Sequence, residues 1–292
     1  MEQIHFTPYI RPPSIGLHVL KGSGYLNSLK AVDEQFSITA AQIFVSGPKT
    51  YKDTVTDNEC ATIKEYVDNN NIELFVHSSY VTSLKMKSGW LIQQQMQHAY
   101  KCNARGVVIH IPKAVPDVVA GLVTELLSKY STDDFPLPLL LEPPGIKPSV
   151  GTYSTAEKIN TLMSKIKYPL ERIGFVLDTA HLWASGTDVS SKQLASDFLS
   201  QLVEPERIRL IHLNGSYAEL GLGKDKHAVP FSSEDNIWGS YITHPQDSGV
   251  AAIVEFAKKY NVTFILEVNR DAINLVNIED YPGSLEIIRG LF

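Results

Sequence analysis

A chain of 292 residues, 43% of them hydrophobic, can bury a large core and suits one large α/β domain or two ordinary ones. No apolar run approaches the roughly 20 residues that a membrane-crossing helix needs, and Met1-Glu2-Gln3-Ile4-His5 lacks the basic flank and apolar stretch of a signal peptide. A formal net charge of −6 gives no compositional sign of a nucleic-acid binder, and Cys60 and Cys102, far apart and outside any CxxC spacing, read as free thiols of a reducing compartment.

Along the chain, short apolar strand-like runs alternate with segments of helical period. The runs are IGLHVL from Ile15, AQIFV from Ala41, ELFVH from Glu73, GVVIH from Gly106, LPLLLE from Leu137, IGFVLD from Ile173, IRLIHL from Ile208 and TFILE from Thr263. Helices are expected at 26–34, 57–69, 89–104, 115–130, 154–166, 191–203 and 249–260, with a last one at 283–291. Eight strands with a helix after each predict an α/β fold, the (β/α)8 TIM barrel, whose parallel strands read as continuous apolar runs. A doubly wound open sheet is disfavoured, because nothing resembling GxGxxG follows the first strand. No linker divides the chain, so residues 1–292 read as a single TIM-barrel domain. Only the gap before the last strand is irregular. Residues 216–248, rich in Gly, Ser, Asp and His, form an insert of a length that is uncommon unless functional.

In such a barrel the chemistry sits at the C-terminal ends of the strands. His77 follows ELFV, His110 follows GVVI, Glu142 follows LPLLL, His212 follows IRLI and Glu267 follows TFIL. In the sixth run Gly174-Phe175-Val176-Leu177 leads to Asp178, with His181 shortly after it. An Asp at that point also suits a helix N-cap. The insert adds Asp225 and His227, so five of the nine histidines belong to the set. A lone His or Glu at a strand end is more often a hydrogen-bonded structural group; convergence changes the reading. Imidazole and carboxylate suit zinc and similar divalent ions, whereas carboxylates gathered without cations repel one another. Nine donors exceed the needs of one tetrahedral zinc and suffice for two or three ions. Such a cluster points to metal-assisted hydrolysis, most naturally of a phosphodiester.

HSSY at 77–80, LEPPG at 141–145, DTAHLWASG at 178–186, HLNGS at 212–216, DKH at 225–227 and ILE at 265–267 resemble, in order and spacing, the endonuclease IV family of apurinic/apyrimidinic endonucleases. The resemblance extends from IGLHV at 15–19 over nearly the whole chain, and FVSGPK and DTAHLWASG are similar to the forms carried by large DNA viruses. It implies a (β/α)8 barrel with three zinc ions, manganese being an alternative at one of them. By that resemblance His77, His110 and Glu142 would hold the first ion. Glu142 would bridge to a second, completed by Asp178, His212 and Glu267, and His181, Asp225 and His227 would hold the third. Every family ligand position is filled, which implies an active enzyme. The family usually has HPG where this chain has His110-Ile111-Pro112, ENT where it has Glu142-Pro143-Pro144, and HLND where it has His212-Leu213-Asn214-Gly215. These departures alter the neighbours that orient ligands and tune metals.

The implied activity is hydrolysis of the phosphodiester 5′ to an abasic site, leaving a 3′-hydroxyl, together with removal of blocking groups from 3′ ends. Glu142 and Glu267 are the implied catalytic carboxylates, with Glu267 orienting the nucleophile. The implied partner is double-stranded DNA carrying abasic sites or blocked 3′ ends. The matching positions for side chains inserted beside the lesion are Lys49, Tyr80 and Val81. The family usually has Arg at the Lys49 position, and Lys cannot stack as a planar guanidinium does. Val81 equally suits ordinary packing. Lys52, Lys85, Lys87, Lys113, Lys224 and Lys226 follow strands and would join Lys49 as a phosphate-contacting rim. His18 and Asn214 are candidates for supporting positions. A monomer, no membrane association and an intracellular location in cytoplasm or nucleus are expected, with the virion added if the source is viral. The alternative is a sugar isomerase or epimerase of the xylose isomerase-like barrel type, with one divalent ion on Glu142, Asp178, His212 and Glu267. It leaves His77, His110 and the DKH insert without a task. A lesion-binding protein without turnover would be favoured by a missing ligand.

Overall fold

The computed structural model describes residues 12–50, 52–130, 133–134, 136–148, 153, 155–267 and 280–292. In chain order its elements are β1 (Ile15–His18), α1 (Tyr25–Phe36), β2 (Ala40–Phe44), α2 (Asp57–Asn69), β3 (Glu73–His77), α3 (Gly89–Lys101), β4 (Val107–His110), α4 (Pro116–Lys129), β5 (Leu139–Glu142) and α5 (Ala156–Lys165). They continue with β6 (Ile173–Asp178), α6 (Thr179–Ala184), α7 (Lys192–Ser200), β7 (Ile208–His212), β8 (Gly215–Ser216), β9 (His227–Ala228), α8 (Gly249–Tyr260), β10 (Thr263–Leu266) and α9 (Asp280–Gly290). Eight strands pair in parallel in the order β1-β10-β7-β6-β5-β4-β3-β2 and close on themselves. With helices following the strands, this is the (β/α)8 barrel that the apolar runs predict.

Where the elements differ from the sequence reading, local chemistry explains it. β5 starts at Leu139 rather than Leu137, because Pro138 has no N–H to add to a ladder; its carbonyl still accepts from the Val107 N–H. α3 stops at Lys101, and Asn103 follows with φ 61°, a left-handed conformation that ends helices. α7 begins at Lys192 because the Ser191 hydroxyl caps it by accepting from the Leu194 N–H. Thr56 and Thr155 cap α2 and α5 in the same way.

Among the described residues the core has two parts. Outward-facing strand residues such as Ile43, Leu74, Val107, Leu141 and Phe264 pack with the helices in one large apolar cluster. A separate cluster fills the barrel and takes one residue from each of seven strands: Ala40, Phe75, Val108, Leu140, Val176, Leu210 and Ile265. The eighth strand contributes Gly16, where a Cβ would fall 1.5 Å from the Ala40 carbonyl oxygen. Only glycine lets β1 and β2 approach there. This apolar plug is the floor on which the site stands.

Candidate metal centre

Side chains in a strand return to the same face every second residue. Two residues beyond each member of the plug lies a polar group: His18 above Gly16, Gln42 above Ala40, His77 above Phe75 and His110 above Val108. Glu142 stands above Leu140, Asp178 above Val176, His212 above Leu210 and Glu267 above Ile265. The ladder aligns them, with His18 opposite Gln42, His110 opposite Glu142 and Asp178 opposite His212. Every strand of the barrel therefore feeds one polar side chain into a single layer at the C-terminal face. Most of these groups are buried, and Gln42, Glu142 and His212 are completely so.

Within this layer, and with the help of the insert, potential ligand atoms converge in three adjoining groups: His77, His110 and Glu142; Glu142, Asp178, His212 and Glu267; and Asp178, His181 and His227. Glu142 Oε2 lies 3.0 Å from His110 Nε2 and 3.3 Å from His77 Nε2. Its Oε1 lies 3.0 Å from His212 Nδ1, which is also 3.1 Å from Glu267 Oε2. Asp225 joins the third group, with Oδ1 2.7 Å from His227 Nε2 and Oδ2 3.3 Å from His181 Nε2. Asp178 belongs to two groups, whereas the family resemblance assigned it to the second alone. The nine residues singled out from the sequence as metal ligands are thus neighbours in space.

The hydrogen bonds around the groups suit cation ligation. A ligating histidine normally donates its other ring N–H to a carbonyl, a carboxylate or water, which fixes tautomer and orientation. His77 Nδ1 faces the Ser78 carbonyl at 2.7 Å, His181 Nδ1 the Pro143 carbonyl at 2.9 Å, and His227 Nδ1 the Glu267 carbonyl at 3.3 Å. Each leaves Nε2 turned toward carboxylates. Glu142 Oε2 is buried without a hydrogen-bond partner despite its two imidazole neighbours, and such an oxygen suits a cation. Asp178 fills both roles left open by its position. Its Oδ1 caps α6 by accepting from the His181 N–H at 2.9 Å, while its Oδ2 accepts from Asn214 Nδ2 at 2.8 Å on the cluster side. Asn214 also accepts the Glu267 N–H through Oδ1 at 2.8 Å, so the supporting place expected for it is where it stands.

The electrostatics carry the same message. Burial alone would raise Glu142, but the His110 and His212 imidazoles hold it well below the usual carboxylate range. Glu267 and Asp225 are likewise driven down by histidines against the effect of burial. Burial would lower His212 and His227, yet Glu267 and Glu142 raise the first to about 9, and Asp178 and Asp225 raise the second to about 10. Four carboxylates at the end of one barrel create a potential that favours positive charge, as imidazolium or as metal.

Similarity to known proteins agrees with this frame. The xylose isomerase-like TIM barrel family matches residues 34–245. The chain belongs to that family. It is 29% identical over 245 residues to a probable AP endonuclease of African swine fever virus, the match covering 80% of each chain. A probable endonuclease 4 of Thermosipho melanesiensis is 28% identical over 236 residues, covering 73% of this chain and 80% of the relative. The crystal structure of AsfvAP:AG superposes with a TM-score of 0.85 at 25% identity, over 96% of this chain and 99% of the other.

Members of a family built on this barrel differ mainly in the loops at the C-terminal face, and here the insert before β10 supplies part of the centre. β8 and β9 form a short antiparallel hairpin that pairs Ser216 with His227. Trp183 Nε1 donates to the Ala218 carbonyl at 2.8 Å, and the Gly221 and Gly223 N–H groups donate to the Trp183 and Ala184 carbonyls. The insert is thereby hooked onto α6, next to His181. Asp235, which the sequence reading passed over, ties its far end: Oδ1 accepts from the Ser216 and Ile237 N–H groups and Oδ2 from Phe231 N–H. Burial raises its carboxyl to about 6. A Cβ on Gly215 would lie 2.5 Å from that carboxylate, so Gly215, a departure from HLND, leaves room for Asp235.

At the rim, the loops after β2 and β3 are stitched together. The Pro48 carbonyl accepts from the Tyr80 N–H at 2.9 Å and from the Ser79 hydroxyl at 3.0 Å, and buried Gln95 reaches Ser46 and Thr82. This places Lys49, exposed, and Tyr80, 58% exposed, on adjoining loops. The Tyr80 ring stands 5.6 Å from that of His77 and 6.0 Å from that of His110, beside the centre. Val81 is half-buried next to it, and Lys52, Lys85, Lys87, Lys113, Lys224 and Lys226 are exposed.

Proposed function

We propose that this chain is a DNA repair enzyme, an apurinic/apyrimidinic endonuclease that hydrolyses the phosphodiester 5′ to an abasic site and leaves a 3′-hydroxyl. We extend the proposal to removal of blocking groups from 3′ ends. The observation that carries it is the convergence of three adjoining donor groups on one barrel face, built from His77, His110, Glu142, Asp178, His181, His212, Asp225, His227 and Glu267. Likeness to a viral probable AP endonuclease over most of both chains supports it. The donors suit three zinc ions, or two with a manganese. Bound there, such ions supply the charge that acidifies water near neutral pH and offsets the charge developing on the phosphoryl oxygens.

The chain's own residues do the rest. Glu142 serves two groups, one with each carboxylate oxygen. Glu267 faces the centre with Oε2 and orients the attacking water. Asp225 and His227 bring the insert against α6 and close the third group. An abasic nucleotide has no base to unstack, so extruding it forgoes little energy, and Tyr80 and Val81 fill the gap it leaves while Lys49 holds the backbone. The exposed lysines and the bound ions offset the net charge of −6 on the DNA-facing side. On this reading the chain is one domain, a monomer and intracellular. A single-ion sugar isomerase would need only the group of Glu142, Asp178, His212 and Glu267, and the other two groups would have no task.

The test is cleavage of a duplex oligonucleotide with one abasic-site analogue, alongside the metal content of the purified protein. Incision on the 5′ side, three ions per chain as the three groups require, and loss of incision in Glu267→Gln are expected. No incision with a single loosely held ion overturns the reading.

A further inference from the structure

Gln42 is the one member of the polar layer that is neither a ligand type nor a titratable group, and it is completely buried. Its amide touches three members of the layer at once. Nε2 donates to Glu267 Oε1 and contacts His18 Nδ1 at 2.9 Å, and Oε1 faces His212 Nε2 at 3.0 Å. These contacts fix hydrogens by elimination. An ionised carboxylate only accepts, so the amide nitrogen is the atom against Glu267. The amide oxygen is then the atom against His212, and His212 Nε2 must carry the hydrogen it accepts. His212 Nδ1 is then the ring atom left facing the carboxylates, 3.0 Å from Glu142 Oε1, 3.1 Å from Glu267 Oε2 and 3.8 Å from Asp178 Oδ2, where it holds a proton in the metal-free protein and offers its lone pair when a cation takes the proton's place. His77 and His181 have the opposite arrangement, with Nδ1 spent on a backbone carbonyl. Gln42 does for His212 what the backbone does for them.

We propose that Gln42 is a positioning residue of the second cation group. Through one amide it holds His212 in the Nε2-protonated tautomer, turns His212 Nδ1 into the ligating atom, and pins Oε1 of Glu267 so that Oε2 faces the ion. The same amide's second hydrogen keeps His18 in register as an acceptor at Nδ1. The inference rests on the reading that His212 and Glu267 hold an ion.

Two substitutions of similar volume separate the parts. Gln42→Met removes both the acceptor and the donors. Gln42→Glu keeps an acceptor for His212 Nε2–H and loses the donors to Glu267 and His18. The readouts are the histidine ring tautomers by long-range proton–nitrogen NMR and zinc affinity by chelator competition, with thermal melting to show that each variant folds. In the wild type, His212 is expected as the Nε2–H tautomer bound through Nδ1. Gln42→Met should weaken one of the three zinc ions by about 10- to 100-fold, the usual effect of losing an outer partner of a ligand, and His212 should lose its single tautomer. Gln42→Glu should keep the tautomer. A folded Gln42→Met protein with an unchanged His212 tautomer and unchanged zinc affinity overturns the proposal. A wild-type protein that binds zinc but does not cut abasic DNA would count against the nuclease reading alone, because the tautomer comparison does not depend on turnover.

Discussion

Leu140 and Glu142 sit on the same strand, face the same way and are equally buried, yet they belong to different machines. Below, seven apolar side chains and Gly16 close the barrel with nothing to satisfy but packing. Above, eight polar side chains occupy a similar ring, and each must find a partner for its charge or hydrogen. The difference shows that the two-residue period of a strand lets one element carry stability at one level and chemistry at the next. It also means that damage to the two levels should look different. Leu140→Ala is expected to destabilise the fold by about 2–5 kcal/mol while leaving metal content intact in the folded fraction. Glu142→Gln should do the reverse and produce the largest functional effect. It strips a shared carboxylate from two groups, so metal content should fall and kcat/KM for abasic-site cleavage should drop on the order of 10³-fold, as losses of transition-state electrostatics do. Denaturant melts and metal analysis of both variants check the contrast, and a Glu142→Gln protein with full metal content and activity would break it.

The polar level should also respond to pH in a way the apolar plug cannot. After the metals are stripped with chelator, His212 and His227 answer the carboxylates by holding protons. Both lie above their ordinary value of 6.5 in the folded state, at about 9 and about 10. A group raised on folding stabilises fully below its unfolded pKa and loses that contribution as pH climbs through the folded one. The stripped protein should therefore be most stable relative to its unfolded state, as far as these groups go, below pH 6.5, and should lose their contribution by about pH 10. Reloaded with zinc, the same protein should behave oppositely over the lower part of that range, because deprotonating the ligands favours the metal. Melting temperatures of stripped and reloaded protein across pH decide it; parallel curves would show that the histidines do not exchange protons for metal.

How much of this was visible in the sequence follows from residue type. His77, His110, Glu142, Asp178, His212 and Glu267 interrupt apolar runs with side chains that a buried strand does not otherwise tolerate, and each marks a strand end. Gln42 interrupts Ala40-Ala41-Gln42-Ile43-Phe44 just as sharply. Sequence alone does not mark it as part of the centre, because an amide is no metal ligand and its meaning lies in partners far away in sequence at His212 and Glu267. The spacing from Ala40 to Gln42 was the available signal. Asp235 carried none, since its role depends on how an irregular insert folds back to Ser216, Phe231 and Ile237, and no period reports that.

Asp235 gives a smaller, more selective test of the centre, because it acts on the insert and not on the barrel. In Asp235→Asn one carboxylate oxygen becomes a donor facing N–H groups. The cost should be about 1–3 kcal/mol for the unsatisfied donor, with loss of order in the loop that carries Asp225 and His227. On the three-ion reading proposed above, the ion of the group that includes His181, Asp225 and His227 should be released while those of the strand-built groups stay, which metal titration reads directly. Release of all three ions together would show that insert and barrel form one cooperative unit.

The rim separates binding from chemistry and should give the smallest effects. Tyr80→Ala removes an exposed ring beside His77 and His110 without touching a donor atom, so metal content should stay while affinity for abasic duplex falls by about 1–3 kcal/mol, the range of a base-stacking side chain. Lys49→Ala, on the adjoining loop, should weaken binding less and in a different manner. A lysine that contacts phosphate contributes through counterion release, so its loss should reduce the slope of log affinity against log salt by about one unit. A lysine that enters the lesion gap should instead reduce the preference for abasic over intact duplex at every salt concentration. Titrations of both duplexes over a salt series separate these outcomes, and the changed slope is the one expected, because the ammonium is a strongly hydrated point charge without the planar face that stacking requires.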